Sequence, residues 1–178
     1  MKKIFKLTLA LAMLMGATTV SAQKLARINT QDVFAVMPET AEMQKNLEAF
    51  GKDLQEQLEQ IQVEFNNKFA EFQKNQATMA DSIKQMKQQE LEQLQQRYGE
   101  FQQIAQQDFQ KKQQELAAPI QEKLTAAIAK VAKAGGFTAV FDTSAQNLAY
   151  FDEAQLTDIA PLVKKELGIS DKPATPAN

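Results

Sequence analysis

The strongest constraint on this chain is a repeat of apolar residues every eleven positions across residues 39–131. Eleven residues fill three helical turns at about 3.67 residues per turn, so the repeat predicts a nearly straight apolar seam along a helix. In the first half the seam positions are Met43, Leu47, Phe50, Leu54, Leu58, Ile61, Phe65, Phe69 and Phe72. In the second half they include Ile83, Leu94, Ala105, Leu116 and Ala127. The pattern predicts two long helices that pack along one seam.

The repeat is interrupted at residues 73–82, which predicts a turn between the two helices. Asp81 or Ser82 is a candidate N-cap, and Gln85 would complete a capping box with Ser82. Strand-like segments lie on both sides of the helical region, and one unbroken rod would hold them more than about 100 Å apart. We therefore predict a hairpin arm over residues 39–134 with its tip near residues 76–82.

The segments on either side of the arm predict a small β body. In its first part, residues 23–38, the alternation of polar and apolar side chains over residues 24–29 is typical of a half-buried strand. A short helix is expected over residues 30–37. Pro38 then stands where the long helix begins, a position that suits proline.

The second part of the body is predicted over residues 135–169. Gly135 and Gly136 are expected to end the second long helix. Residues 137–142 and 148–151 read as two strands around a polar turn, and residues 155–167 as a closing amphipathic helix. Three short strands in one chain cannot close a barrel, whereas several copies that share strands can.

The first 22 residues are predicted to be an export signal. Three lysines precede an apolar run over residues 7–15, and the small residues that end at Ala22 fit a cleavage site. A membrane anchor is the alternative, but the run is short for a hydrocarbon core of about 30 Å. Cleavage after Ala22 would place the protein in the periplasm. At the other end, residues 170–178 are predicted to be a disordered tail.

Composition restricts the function of what remains. Removing 22 of the 178 residues leaves 156, and about 93 of these are predicted arm, so 63 remain for the body. Such a body is near the lower size limit for a lone core. The chain has no Cys and no His, so no disulfide, histidine-based catalysis or usual zinc, copper or haem site can form. We predict a non-enzyme without cofactor or metal, stabilised by oligomerisation.

The charge of the chain argues against nucleic acid as a partner. Without the signal the chain carries 17 basic and 22 acidic residues, a net charge of about −5, and no basic stripe interleaved with aromatic residues. No later segment is apolar enough for stable membrane insertion. The adjacent acids Asp152 and Glu153 suggest metal binding, acid/base chemistry or a solvated turn, and the lack of a cleft and of partner ligands favours the turn.

Several end segments together resemble the Skp/OmpH family of periplasmic chaperones. The matching stretches are residues 25–34, 37–39, 119–123, 126–129 and 136–142. The resemblance implies a mainly α fold in which a small β-barrel shared by a homotrimer carries three coiled-coil hairpin arms. It also implies an ATP-independent holdase that binds unfolded outer-membrane proteins and passes them to the assembly machinery. The residues around Ala22 also resemble export signals of Bacteroidetes. The Asp81-Ser82-Ile83 triplet resembles an O-glycosylation acceptor of the same bacteria.

The chain departs from the resemblance in its charge. The best-known members have cationic arms and a proposed lipopolysaccharide site, whereas residues 39–131 here carry 11 basic and 15 acidic side chains. No residue can be matched to that lipid site. We therefore expect client binding to be mainly apolar and to change little with salt. A passive coiled-coil spacer or adaptor, and a member that binds lipid or polysaccharide, are the alternative functions.

Two sets of candidate residues follow. For client binding they are apolar positions of the arm, most of which could equally be seam core: Val63, Phe65, Phe69, Phe72, Met79, Met86, Phe101 and Ile104. For trimerisation they are apolar positions of the body: Leu25, Ile28, Val33, Phe34, Phe137, Val140, Phe141, Leu148 and Phe151.

Overall fold

A computed structural model describes residues 23–145 and 150–169, in which long helices dominate and a small sheet is the only extended structure. The expectation of a mainly α chain with a small β part is confirmed at this level. In chain order the elements are β1 Leu25–Ile28, α1 Thr30–Ala35, α2 Pro38–Asn75, α3 Asp81–Gly135, β2 Ala139–Asp142, a 3₁₀ helix Glu153–Gln155, β3 Thr157–Asp158 and α4 Ala160–Glu166.

Helices α2 and α3 lie side by side and antiparallel. Glu39 at the start of α2 pairs with Lys123 late in α3, and Glu64 pairs with Arg97 nearer the turn. Residues 76–80 connect the helices. The 38 residues of α2 give an arm about 57 Å long, while the 55 residues of α3 continue past the arm into the body.

The sequence offered a local signal for three ends of the long helices, and two of these ends lie where the signal predicts. Pro38 lies in the first turn of α2, and Gly136 ends α3 in the left-handed conformation at φ 65°. The third end differs from the prediction, because Ala80 is the N-cap of α3 and no side chain caps it. Asp81 and Ser82 lie inside the first turn, exposed. The packing of the seam against α2 fixes the start of α3, since packing outweighs a single cap in a helix this long.

The sheet is parallel and open within the described residues, with strand order β2-β1-β3. Ala26 pairs with Val140 on one side of β1, and Arg27 pairs with Asp158 on the other. Parallel neighbours need a long crossover, and between β1 and β2 that crossover is the entire arm. The body is therefore assembled from segments that are more than one hundred residues apart in sequence.

The third strand is not where the sequence placed it. Tyr150 and Phe151 are outside any strand, and the rest of the predicted strand at residues 148–151 lies outside the described residues. The observed β3 instead occupies the start of the predicted helix at residues 155–167, and α4 begins at Ala160. Backbone pairing with β1 decides this, because β1 would otherwise leave polar groups unpaired on that edge.

The core of the body lies between the sheet, α1, α4 and the last turns of α3. The buried side chains of this core come from all four parts. None of these short elements therefore needs to be stable alone. The buried side chains are Ala26, Ile28, Val33, Met37, Ile120, Leu124, Ala127, Ile159 and Val163.

Candidate binding surfaces

Asp142 fixes the geometry of the body at the end of β2. One carboxylate oxygen accepts hydrogen bonds from the backbone N–H of Thr30 at 3.2 Å, from the backbone N–H of Ser144 at 2.9 Å and from the Ser144 hydroxyl at 2.8 Å. The other oxygen accepts from the Thr30 hydroxyl at 2.6 Å. Burial alone would raise the pKa of Asp142, but these hydrogen bonds outweigh it and lower the pKa below its usual value. This cluster, which periodicity cannot reveal, holds β2 against the start of α1.

The residues predicted for trimerisation fall into two groups. Ile28 and Val33 are buried in the core of their own chain, so they are not free to contact another subunit. Leu148 lies outside the described residues. The remaining six are half-buried: Leu25, Phe34, Phe137, Val140, Phe141 and Phe151.

The two faces of the sheet differ in burial. Side chains alternate along a strand, so Leu25 and Phe141 point away from the buried Ala26 and Ile28. Arg27 lies on this same face. This outer face therefore combines apolar side chains with a guanidinium group.

Arg27 is held by two carboxylates on the same side. Its Nη2 lies 3.5 Å from Oε2 of Glu153 and 3.8 Å from Oδ2 of Asp158, while its Nε is buried and has no hydrogen-bond partner in the described part of the chain. The neighbouring Asp152 caps the 3₁₀ helix by accepting from the N–H of Ala154 at 3.0 Å. Both acids that suggested a metal site thus have structural roles, and the described residues contain no group of three or more metal-ligating side chains.

The residues predicted for client binding divide between the seam and the surface. Phe72 is buried, and Phe65 and Phe101 are half-buried, as seam residues would be; Met79 is half-buried in the connection between the helices. The other four are exposed by 41% to 55% of their surface: Val63, Phe69, Met86 and Ile104. Two further exposed apolar residues of the arm, Ile83 and Phe109, are not among the residues predicted for client binding.

Ion pairs between the helices lie along one side of the arm. Arg97 Nη2 donates to Oε2 of Glu64 at 2.6 Å, and Lys68 hydrogen-bonds to Glu90, which also pairs with Lys87 at 3.2 Å. The hydrogen bond from Lys68 is the main cause that lowers the pKa of Glu90, and the same bond raises the pKa of Lys68. We call this side the charged flank.

Met86 and Ile104 belong to the charged flank. They lie in the same helical row as Glu90 and Arg97, at steps of four and seven residues along α3. Val63, by contrast, is rotated about half a turn from the seam residues Leu54 and Phe72, so it lies on the back of α2. The exposed candidates therefore do not form one continuous apolar strip.

On the opposite side of the arm, the positions next to the seam carry no charged side chain over the middle part, and we call this side the neutral flank. The exposed Glu59 lies at its outer margin, four residues after Gln55. On α2 it comprises Gln55, Leu58, Gln62, Asn66 and Phe69, and on α3 Leu91, Gln95, Tyr98, Gln102 and Phe109. Steps of three, four and seven residues place each set in one helical row. The two rows meet across the helix pair, because Gln62, Gln95 and Tyr98 line one shallow hollow.

No helix among the described residues has the length and apolar character to cross a membrane.

The profile of a family described as outer membrane protein (OmpH-like) matches residues 24–167. A chaperone protein Skp from Yersinia enterocolitica is 27% identical over 161 residues, which cover 90% of this chain and 94% of that protein. A second Skp chaperone, from Photorhabdus luminescens, is 25% identical over 146 residues, 82% of this chain and 88% of its own. A crystal structure described as an OmpH-like outer membrane chaperone from Caulobacter crescentus has a TM-score of 0.70 to this chain at 13% sequence identity. The match covers 85% of this chain and 88% of that chain, and it supports the fold.

Proposed function

The chain belongs to the OmpH-like outer membrane protein family, and on that premise we propose that it is an ATP-independent periplasmic holdase. In this role it binds unfolded outer-membrane proteins between helical arms, prevents their aggregation and releases them to the outer-membrane assembly machinery. The exported location rests on the predicted signal at residues 1–22, which lie outside the described residues.

The observation that carries the proposal is the set of large apolar side chains left exposed along both arm helices. Phe69, Met86, Ile104 and Phe109 are each separated from the next by polar residues. Each isolated contact with a client would be weak, and many together would hold an unfolded chain. Weak contacts also permit release without ATP, because no single contact has to be broken by an energy source.

A homotrimer is part of the proposal. Among the described residues the outer edge of β2 has no partner strand, and Leu25 and Phe141 on the outer face are only half-buried. Unpaired edges and half-buried apolar faces are stabilised when neighbouring copies cover them. Three copies that share these strands in a closed barrel would also place three arms around a common cavity.

Light scattering tests the function. An unfolded outer-membrane barrel would be diluted from urea with and without the purified protein, at increasing ratios of protein to barrel. We expect aggregation to be suppressed, with saturation near one barrel per three chains. A folded trimer that suppresses nothing would overturn the holdase and favour the spacer, and saturable binding of lipopolysaccharide without suppression would favour the lipid-binding alternative.

A further inference from the structure

We propose that clients lie against the neutral flank of the arm, and that this flank binds extended, uncharged stretches of polypeptide through its rings and side-chain amides. The inference rests on the proposed holdase function and adds to it which side of the arm is used and what chemistry is recognised. It depends on the difference between the two flanks.

The neutral flank is long enough for a segment of extended chain. Gly51 and Phe69 are 18 residues apart, which is five whole helical turns, so they lie on the same side of α2 about 27 Å from each other. An extended strand rises about 3.3 Å per residue, so this length accommodates about eight client residues. The positions of the row nearest the seam, Gly51, Leu58, Gln62 and Phe69, include no charged residue, and the exposed Glu59 lies at the outer margin beside Asn66.

The packing of Phe109 places a ring in this row. A Cβ at Gly51 would lie 3.3 Å from Cε2 of Phe109, so the ring is accommodated closely against the backbone of α2. Phe109 is nevertheless 36% exposed, which leaves ring surface open to a partner. At the other end of the row Phe69 is stacked on Phe65, with ring centroids 5.8 Å apart, and is also exposed. Both ends of the flank therefore offer aromatic surface.

Between the two rings the flank offers unused amides. Gln95 and Gln102 are exposed, and neither makes a side-chain hydrogen bond within the described part of the chain. A glutamine amide has two donors and an acceptor, so it can pair with either group of a peptide backbone. Such pairing depends on the client backbone rather than its sequence, which suits a protein that binds many unfolded chains.

The charged flank is poorly suited to the same partner. Covering Glu64, Lys68, Glu90 or Arg97 with a neutral chain would remove water from ionised groups without supplying a charge in exchange. The positions of the neutral flank nearest the seam carry no such penalty, and Glu59 at the outer margin stays in contact with water. Charge complementarity thus favours a neutral polypeptide on the neutral flank and leaves the ion pairs facing water.

A pair of matched double variants tests the assignment. Gln95→Glu with Gln102→Glu puts two charges on the neutral flank, and Gln93→Glu with Gln107→Glu puts the same two charges on the charged side of the same helix. All four glutamines are exposed. The probe is a fluorescent, uncharged peptide of alternating aromatic and amide residues, and protein purified from the host periplasm is titrated into it.

We expect the neutral-flank variant to bind this peptide about fivefold or more weakly and the matched variant to stay within about twofold of the wild type, because only the first buries carboxylates under the client. Circular dichroism and the oligomeric state should be unchanged in both. If a charge disturbs folding, Phe109→Gln compared with Leu162→Gln, at an apolar residue of α4 that is 50% exposed and lies outside the arm, makes the same distinction without charge.

The failures of the two proposals are separable. If the wild type suppresses aggregation of the unfolded barrel but both double variants bind the peptide equally, the flank assignment is wrong and the holdase stands. If the wild type suppresses nothing, the proposed function fails. Displacement of the peptide by a neutral oligosaccharide such as maltoheptaose at lower concentration than by unlabelled peptide would overturn the assignment of a polypeptide ligand.

Discussion

At the scale of single residues, two polar contacts determine how the ends of the arm are joined to the body. Asp142 receives four hydrogen bonds from Thr30 and Ser144, which lie at the start of α1 and just after β2. Lys24 donates to the carbonyl oxygen of Gly135 at 2.9 Å and lies 4.6 Å from the centre of the Phe137 ring. Each cluster ties residues that are more than one hundred positions apart.

The Asp142 cluster predicts both a stability change and its pH dependence. Asp142→Ala should destabilise the fold by about 1–3 kcal/mol, since buried donors lose their acceptor. Because the pKa of Asp142 is lowered in the folded state, its contribution is present above the unfolded value of about 3.9 and is lost as pH falls through the folded value. Urea unfolding between pH 3 and 7 would measure this.

The matched control for Asp142 is Asp142→Asn, which keeps the shape but does not titrate. Its unfolding free energy should lack the part of the acid dependence that the wild type shows below about pH 4. An identical pH profile in the wild type and the Asn variant would contradict the assignment.

Gly135 provides a second prediction at this scale. A Cβ there would lie 2.4 Å from the Phe137 ring, so Gly135→Ala should displace the ring, weaken its contact with Lys24 and destabilise the protein by about 1–3 kcal/mol. Gly99→Ala is the control, because a Cβ at Gly99 meets nothing within 4 Å and alanine favours a helix. Thermal unfolding should show a loss for the first and no loss for the second; equal effects would contradict the argument.

At the scale of elements, the arm is stabilised by its apolar seam and only weakly by its ion pairs. Leu47, Phe72, Leu94 and Ala105 are buried between α2 and α3, whereas both partners of the Glu64–Arg97 pair are largely exposed. Exposed pairs contribute between about 0 and 1 kcal/mol.

The seam predicts a large difference between two apolar truncations in α2. Phe72→Ala should lower the free energy of unfolding by about 3–5 kcal/mol, because it removes a buried ring near the turn of the hairpin. Val63→Ala should change it by less than about 0.5 kcal/mol, because Val63 lies on the exposed back of the helix. Urea unfolding followed by circular dichroism compares them, and a cost at Val63 near that at Phe72 would mean that the back of α2 is covered.

At the scale of the whole molecule, the family resemblance found in the sequence is confirmed. Over residues 39–131 the arm carries 15 acidic and 11 basic side chains, so the arm as a whole has a negative net charge. Ion pairs occupy one flank and leave the other neutral, so neither flank offers a cationic surface to an acidic client. The apolar and amide groups are what remain for binding.

Client affinity should therefore depend little on ionic strength. Between low salt and about 0.15 M salt, where screening acts beyond about 8 Å, the dissociation constant for an unfolded outer-membrane barrel should change by less than about twofold. Fluorescence titration at several salt concentrations would measure it. A steep loss of affinity over this range would show that charge, rather than apolar contact, dominates binding.

The sequence by itself determined the elements whose cause is local. The eleven-residue repeat predicted both long helices, Pro38 marked the start of the first, and Gly136 marked the end of the second. These succeed because helix periodicity, proline geometry and the left-handed conformation of glycine each act within a few residues.

Only the tertiary structure decided what depends on contacts between distant segments. The third strand formed at Thr157–Asp158 because β1 offers an unpaired edge there, and Ala80 became the N-cap because the seam fixes where α3 begins. The Asp142 cluster and the neutral flank likewise arise from residues brought together across the hairpin. Such pairings are set by the free energy of the assembled fold, which no window of local sequence contains.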